Sequence, residues 1–577
     1  SAVFGLGYGR HELEPGRVLG PFALFVAAMN VVPIADDAFV FLFAWELMSL
    51  ASWLLVLSNH RDERTAHAAR VYLVMAAFGT ACLLFCFGVL AGAAGDYGFA
   101  VIRIQEMTPA GASLAALLVL LGAGSKAGFV PLHVWLPLAH PAAPSHVSAM
   151  MSGVMTKVAV YAIIRVLFDL IGEAPWWWGG VLAVVGAVSA VAGVLYALMQ
   201  DDLKRVLAYS TVENVGVIGI GLGLAFVFQA AGAPELAALG LTAALLHVLN
   251  HSLFKSLLFL GAGAVLTATG QRDLNHLGGL IHRMPATALM FLLGSASISS
   301  LPPLNGFVGE WLLFQTILNG PSLEQWELKI GIAVIAALLA LSTALAAACF
   351  VRAFGMAFLG RPRGRAAASA RDVGGGMLAA MAVPASLCVL IGILPKLAIA
   401  LVEPVNRFIL GAGILDPGAA GGLLRLEPAS AFGNSYSGFI VLAVTALLSV
   451  LLVAGIHRHA GNRTRRSIPW GCGFADPTPA AQYTPSGFAQ PLRRVFGTLA
   501  FAARESVDIP APGETRPARF VLRLRDPAWD LVYTPVVRAV GWVGRRVNAL
   551  QFLTIRRYLT MMFFALVVVL VVVAVSR

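Results

Sequence analysis

The sequence predicts an all-α polytopic membrane protein, and three observations predict it. Hydrophobic residues make up 59% of the 577 and charged residues only 12%, against roughly 25% charged in an ordinary soluble domain. Mean hydropathy is +0.82. The apolar residues gather in runs bounded by charges or Pro/Gly clusters, near 17–34, 36–58, 68–95, 112–138, 145–171, 176–199, 206–230, 236–267, 285–318, 328–358, 374–402, 436–456 and 556–576. Crossing a bilayer takes about 20 apolar residues, so these are about 13 transmembrane spans. Lipid offers the backbone no hydrogen bonds, and spans of this kind therefore fold as a helical bundle.

The net charge of +11 does not point to nucleic acid, because that inference needs basic residues gathered on one water-exposed face. Here they sit in short loops. If every run crosses once, one set of loops carries Arg10, Arg17, Arg61, Arg64, Arg70, Lys204, Arg205, Arg272, Arg283, Arg361, Arg363, Arg365, Arg371, Arg458, Arg463, Arg465 and Arg466. The opposite set holds only Arg103, Lys329, Lys396, Arg407 and Arg425. The positive-inside rule makes the first set cytoplasmic and puts the carboxyl terminus outside, as expected of a bacterial cytoplasmic membrane protein. The cysteines (Cys82, Cys86, Cys349, Cys388 and Cys472) include no CxxC pair, so no iron–sulfur, zinc-ribbon or disulfide framework is indicated. Residues 1–16 form a cytoplasmic amino-terminal segment without signal-peptide regions. There is no initiator methionine, and a preceding stretch is expected.

Two runs are interrupted in comparable places, at Leu121-Gly-Ala-Gly-Ser-Lys-Ala-Gly-Phe-Val-Pro131 and at Ser299-Ser-Leu-Pro-Pro-Leu-Asn-Gly-Phe-Val-Gly-Glu310. Proline removes a helical hydrogen bond and clashes with the preceding turn, so both helices should unwind locally. Within a membrane such backbone is tolerated only in protein or beside water, and a matched pair points to a transport site. Each is the fourth run of a group of five, 17–171 and 176–358, and because five is odd the second group is inverted. Proline kinks that only help packing are the rival reading. Further transmembrane helices follow over 374–456, then a charged, Pro-rich cytoplasmic connector over 457–555 and an anchor helix over 556–577. Within the connector, 529–542 has apolar residues at helical spacing, which suits either an interfacial helix or a loosely ordered link.

A charge at the bilayer centre costs at least about 2.5–3.5 kcal/mol and marks an ion path in many membrane proteins. Glu46, Lys126, Lys157, Lys255 and Glu310 all fall inside apolar runs. The first group offers Glu46 with Lys126, the second Lys255 with Glu310, and any one of them alone could be structural. Burial and an opposite charge act oppositely on proton affinity, so parting a buried Glu–Lys pair releases a proton and re-pairing reloads it. His247, His251 and Lys255 stand at i, i+4 and i+8, stacked about 6 Å apart along one helix face. Water would have to bridge them, and histidine takes and gives protons near neutrality. Structural histidines or a zinc pair are the alternatives; the metalloprotease glutamate is absent and Lys255 would repel a cation.

Weaker candidates surround this set. His133, His140 and His146 flank the first interruption, where they open a water route or bond freed carbonyls. Glu213 either pairs with Lys204 or is a cytoplasmic rim charge. Arg165 and Asp169 read as an interfacial i, i+4 ion pair. The glycines of Gly219-Ile-Gly-Leu-Gly223 read as helix packing.

The stretches SKAGFVPLHVWLPLAHPAAPSHVSAMMSGVMTK (125–157), DLKRVLAYSTVENVG (202–216), LLHVLNHSLFKSLLFLGAGAV (245–265) and LPPLNGFVGEW (301–311) resemble the antiporter-like, proton-translocating membrane subunits shared by respiratory complex I and related assemblies. WGCGF (470–474) with FAQPLRRVF (488–496) favours the branch of hydrogenase-4 component B and the large membrane subunit of formate hydrogenlyase. The resemblance implies two inverted five-helix repeats, a lateral segment and a final anchor helix. It also implies that Glu46, Lys126, Lys157, Lys255 and Glu310 match the family's membrane-axis residues, although some members hold lysine where Glu310 stands. Family members usually carry three helices before the region matched by residue 17, so either a terminus is missing or the variant is short.

Two functional readings follow. In the first, the chain conducts protons in step with electron transfer in partner subunits; it holds no cofactor ligands of its own, and nickel–iron, iron–sulfur or flavin centres would sit in a cytoplasm-facing peripheral arm. In the second, it belongs to a non-redox cation/proton antiporter or inorganic-carbon uptake complex. The buried charges count against a third reading, a passive membrane scaffold.

Overall fold

The computed structural model describes residues 1–9, 16–92, 95–172, 175–415, 422–426, 435–460, 479, 481–526, 529–550 and 554–575. Cys472 and the WGCGF stretch lie outside the described residues. Two compact units divide the chain, Ser1–Pro491 and Leu492–Arg577.

The first unit is helical. It starts with α1 (Ala2–Tyr8), α2 (Gly16–Ile34), α3 (Ala38–Val56), α4 (Glu63–Ala91), α5 (Phe99–Ile104), α6 (Pro109–Ala127), α7 (Leu136–Ala142), α8 (Ser145–Met150) and α9 (Thr156–Ile164). It continues with α10 (Trp177–Leu198), α11 (Leu203–Ala230), α12 (Pro234–Thr269), α13 (Pro285–Ile298), α14 (Asn305–Leu318) and α15 (Trp326–Phe358). Then come α16 (Arg365–Ser369), α17 (Gly375–Ile393), α18 (Pro395–Leu410), α19 (Gly438–Ala460), α20 (Pro485–Phe488) and α21 (Gln490–Phe496), the last reaching into the second unit. Among the described residues, 12 helical segments are long and apolar enough to cross a membrane, and α13 is a shorter apolar helix. The run 285–318 is thus a broken pair, α13 and α14, and the run 374–402 divides into α17 and the start of α18.

The spans begin where capping chemistry allows. Asp37, Asp62, Thr108 and Asp202 accept backbone N–H bonds at the starts of α3, α4, α6 and α11, satisfying donors that have no partner within the helix. The helix α11 forms the centre, and its apolar window is wholly buried. Its close packing on α10 depends on glycine: a Cβ at Gly216 would lie 2.4 Å from the Ala190 nitrogen and 2.5 Å from the Gly186 carbonyl. Short π-helical turns, Met151–Met155 and Arg165–Leu170, flank α9. At the start of the amino-terminal segment, α1 buries Phe4 and Tyr8 and packs on α12 and α17.

The second unit departs from an all-helical connector. It holds an antiparallel hairpin of β1 (Arg504–Asp508) and β2 (Arg519–Arg523), with Ser506 opposite Val521. The expected helical stretch then follows as a π turn over Trp529–Tyr533 and α22 (Thr534–Leu550), and α23 (Ile555–Val575) is the final span.

One buried cation ties the basic-loop side of the first unit together. Arg352 of α15 is 0% exposed and donates to the Gln200 carbonyl (2.8 Å), Asp201 Oδ1 (2.9 Å) and the Pro485 carbonyl (2.9 Å). Arg352→Met would leave two of these carbonyls unsatisfied, which should cost about 2 kcal/mol or more. A lowered melting temperature of the purified chain reports this, and Arg352→Lys should recover only part of it because an ammonium lacks the planar fork.

Candidate functional site

The two helix breaks end in different ways. Gly128 closes α6 with φ 97° and donates to the Gly124 carbonyl; the left-handed conformation favours glycine. Backbone groups freed beyond it find side chains, with Val130 N donating to Ser189 Oγ (2.9 Å) and Trp135 Nε1 to the Ser125 carbonyl (2.8 Å). At the second break Asn250 of α12 donates to the Asn305 carbonyl (2.8 Å), and Asn305 donates back to Asn250 (3.2 Å). Lys126 lies in the last turn of the half-helix α6, the end that favours a cation. Glu310 lies on the other type of half-helix, α14, which leads out of its break.

Lys126 is buried among oxygen and aromatic partners. Its ammonium donates to Ser49 Oγ (2.6 Å) and the Tyr72 hydroxyl (3.3 Å), and stands 5.2 Å from the Tyr72 ring centre and 5.8 Å from that of Trp45. Glu46 accepts from Thr80 (2.6 Å), one turn of α3 from Ser49. The expected Glu46–Lys126 contact is therefore not an ion pair within 4 Å in this structure; serine and tyrosine hydroxyls hold the lysine instead. Tyr72 continues the polar line to Ser52 (2.6 Å) and to the Met155 sulfur (3.6 Å).

The next lysine joins the two groups of five helices. Lys157 Nζ lies 2.5 Å from His251 Nδ1 and also meets the Ser152 carbonyl (2.6 Å) and Thr156 Oγ1 (3.3 Å). Beside it Ser152 meets Thr211 of α11 at 2.7 Å. His251 and His247 stack with centroids 6.5 Å apart and planes 10° from parallel, as the i, i+4 spacing predicts. His247 Nε2 meets Asn214 Oδ1 at 3.1 Å. Lys255, 0% exposed, donates to the Leu207 carbonyl (2.8 Å) and to Ser210 Oγ. Glu310 accepts from Thr343 at 2.6 Å. Among the described residues no three His, Cys, Asp or Glu side chains converge as metal ligands.

The weaker candidates divide. Glu213 is 2% exposed, which overturns its reading as a rim charge. It also stands nine residues from Lys204 on one helix, about 13 Å along the axis, too far for that ion pair; Lys204 donates to the Ala143 carbonyl (2.5 Å) instead. His140 is wholly buried against Phe259, ring centres 5.0 Å apart, and neither ring nitrogen has a hydrogen-bond partner among the described residues. Among the described residues it therefore bonds no freed carbonyl. His146 lies between Tyr8 and Phe22, and His133 faces Tyr209. Arg165 and Asp169 pair at 2.5 Å, and Arg103 joins them at 2.7 Å. The residues that sequence reasoning missed are the neutral ones, Ser49, Tyr72, Thr80, Ser210 and Asn214, for which local pattern carries no signal.

A ring without nitrogens tests the joint. His251→Phe keeps the stack and removes the Lys157 partner, so proton uptake by vesicles containing the chain should fall tenfold or more while the variant still purifies intact.

The family described as NADH:quinone oxidoreductase/Mrp antiporter, transmembrane, matches residues 35–340. Hydrogenase-4 component B of Escherichia coli is 37% identical over 589 aligned positions, covering 100% of this chain and 86% of that protein. Formate hydrogenlyase subunit 3 of Escherichia coli is 32% identical, covering 86% of this chain and 78% of that protein. Among solved structures, a chain of the membrane-bound sulfane sulfur reductase, an archaeal respiratory membrane complex, superposes with a TM-score of 0.74 at 23% identity, covering 99% of this chain and 87% of that one. That likeness is one of fold.

Proposed function

Because the chain belongs to the NADH:quinone oxidoreductase/Mrp antiporter transmembrane family, we propose that it is a proton-translocating, antiporter-like subunit of a membrane-bound respiratory or hydrogenase-type oxidoreductase complex. The observation that carries this reading is the Lys157–His251 contact, which joins a buried lysine of the first group of helices to a buried histidine of the second. Protons pass along Glu46, Lys126, Lys157, His251, His247, Lys255 and Glu310. Ammonium, imidazole and carboxyl groups hold the proton at each station, and water fills the gaps.

Buried hydroxyls and amides make the stations tolerable. A charge removed from water is costly unless hydrogen-bonded, and Ser49, Tyr72 and Ser210 supply that bonding to the lysines. Motion of a neighbour re-pairs Lys126 with Glu46, and the change in local charge reloads or releases its proton. The work comes from electron transfer in partners: other membrane subunits and a cytoplasm-facing peripheral arm carrying nickel–iron, iron–sulfur or flavin centres. The basic loops face the cytoplasm of a bacterial membrane, with the final helix ending outside. His133, His140, His146 and Lys204, all buried, lie toward the basic loops, and protons enter the axis past them once water reaches this end of the bundle.

The Mrp half of the family description favours one second reading, a cation/proton antiporter without redox chemistry. Sodium-dependent proton exchange in vesicles, with no redox subunit co-purifying, would select it.

Lys126→Met and Lys255→Met test the main reading. With an imposed potassium diffusion potential across vesicles holding the purified complex, each should lower proton uptake at least tenfold without loss of assembly. Undiminished uptake in both removes the lysines from the path.

A further inference from the structure

The two groups of helices repeat a detail that assigns a partner to Lys255. In the first, Asp37, at the start of α3, forms an antiparallel bridge with Gly98, beyond α4; in the second, Asp202, at the start of α11, forms the same bridge with Asp273, beyond α12. The bonds correspond one to one. Ala38 N donates to the Tyr97 carbonyl and Phe99 N to that of Asp36, while Leu203 N donates to Arg272 and Leu274 N to Asp201, all at 2.9–3.0 Å. The second and third helices of each group are thus tied in one register.

Counting from these ties, Thr80 and Lys255 each lie eighteen residues before the bridge residue, Gly98 or Asp273. Thr80 is the residue that holds the Glu46 carboxylate. On the opposing helix Glu46 lies nine residues after Asp37, and Glu213 eleven residues after Asp202. The second group therefore puts a lysine where the first puts the carboxylate's partner, and the facing helix carries a glutamate two residues further from its tie, half-buried at Glu46 in the first group and buried at Glu213 in the second. Contacts bring the two helices together there: Lys255 donates to the Leu207 carbonyl and to Ser210, the latter one turn from Glu213.

We propose that Glu213 and Lys255 are the charge switch of the second group, with Glu213 the positioning carboxylate that loads Lys255. This deepens, and rests on, the proton-path reading above. In the present structure the pair is parted, with no ion pair within 4 Å. Lys255 rests on Ser210 as Lys126 rests on Ser49, and among the described residues Glu213 accepts a single long bond, 3.4 Å from Asn214. When the side chains approach, the carboxylate favours the ammonium; when they part, an N–H bond of Lys255 breaks, the proton leaves through water towards Glu310, and a neutral amine remains. No reactant beyond water is involved. Asn214, which also meets His247, links the switch to the histidine relay. A purely structural glutamate gains nothing from this place, because a carboxylate 2% exposed with one long hydrogen bond is costly.

The test uses proton uptake by vesicles holding the purified complex under a potassium diffusion potential. Glu213→Gln should slow uptake tenfold or more, Glu213→Asp should restore at least a third of the parent rate, and Glu213→Gln with Lys255→Met should be no slower than Lys255→Met alone. Such non-additivity marks groups acting as one unit. If Glu213→Gln runs within twofold of the parent, or multiplies its effect onto Lys255→Met, the pair is not a switch. Should the glutamine variant fail to assemble, Glu213→Asp decides alone: an assembled aspartate variant without uptake overturns the proposal. Lys126→Met is the control. If it too leaves uptake unchanged the proton-path reading fails, whereas a slow Lys126→Met beside a fast Glu213→Gln sinks only this pairing.

Discussion

An ammonium group wholly withdrawn from water has to find oxygen or nitrogen partners inside the protein or give up its charge. Everything notable in this bundle follows from meeting that demand for Lys126, Lys157 and Lys255 at once. Each lysine has neutral acceptors within hydrogen-bond reach and, among the described residues, no carboxylate within 4 Å: a serine and a tyrosine for Lys126, a carbonyl and an imidazole for Lys157, a carbonyl and a serine for Lys255. Neutral partners steady a cation without fixing it. A close carboxylate favours the charged form of a lysine, and an apolar wall disfavours it.

The breaks in the helices serve the same demand. A regular helix spends its carbonyls on its own N–H groups, but a helix that ends inside the membrane exposes its last turn, and Lys126 occupies that turn of α6. The price is freed backbone, which Ser189, Trp135 and Asn250 satisfy. Around this polar interior the packing is tight where glycine lets α10 approach α11, and Arg352 pins the basic-loop end. A stiff frame around a few exchangeable contacts suits a device that must change charge without changing fold.

Much of this was legible in the sequence because it is local. Apolar runs of spanning length located the helices, Gly128 with Pro131 and Pro302 with Pro303 located the breaks, and the four-residue spacing of His247, His251 and Lys255 predicted their shared face. What was not legible depends on contacts distant in sequence. No local pattern tells that Ser49 meets Lys126, seventy-seven residues away, or that His251 meets Lys157. Glu213 was left between a Lys204 pair and a rim charge for a related reason: burial is decided by the helices packed around α11, which no local pattern shows. The hairpin of β1 and β2 escaped notice because Arg504–Asp508 is exposed along its whole length and has no apolar alternation to betray a strand.

For protons to pass along these stations, water must reach the gaps between them during turnover. A map of the assembled complex that resolves ordered water tests it most directly. Water oxygens linking Lys126 to Lys157, and Lys255 to Glu310, in hydrogen-bonded chains across the middle of the membrane are the predicted result. Dry gaps walled only by apolar side chains, with the lysines still buried, would contradict it.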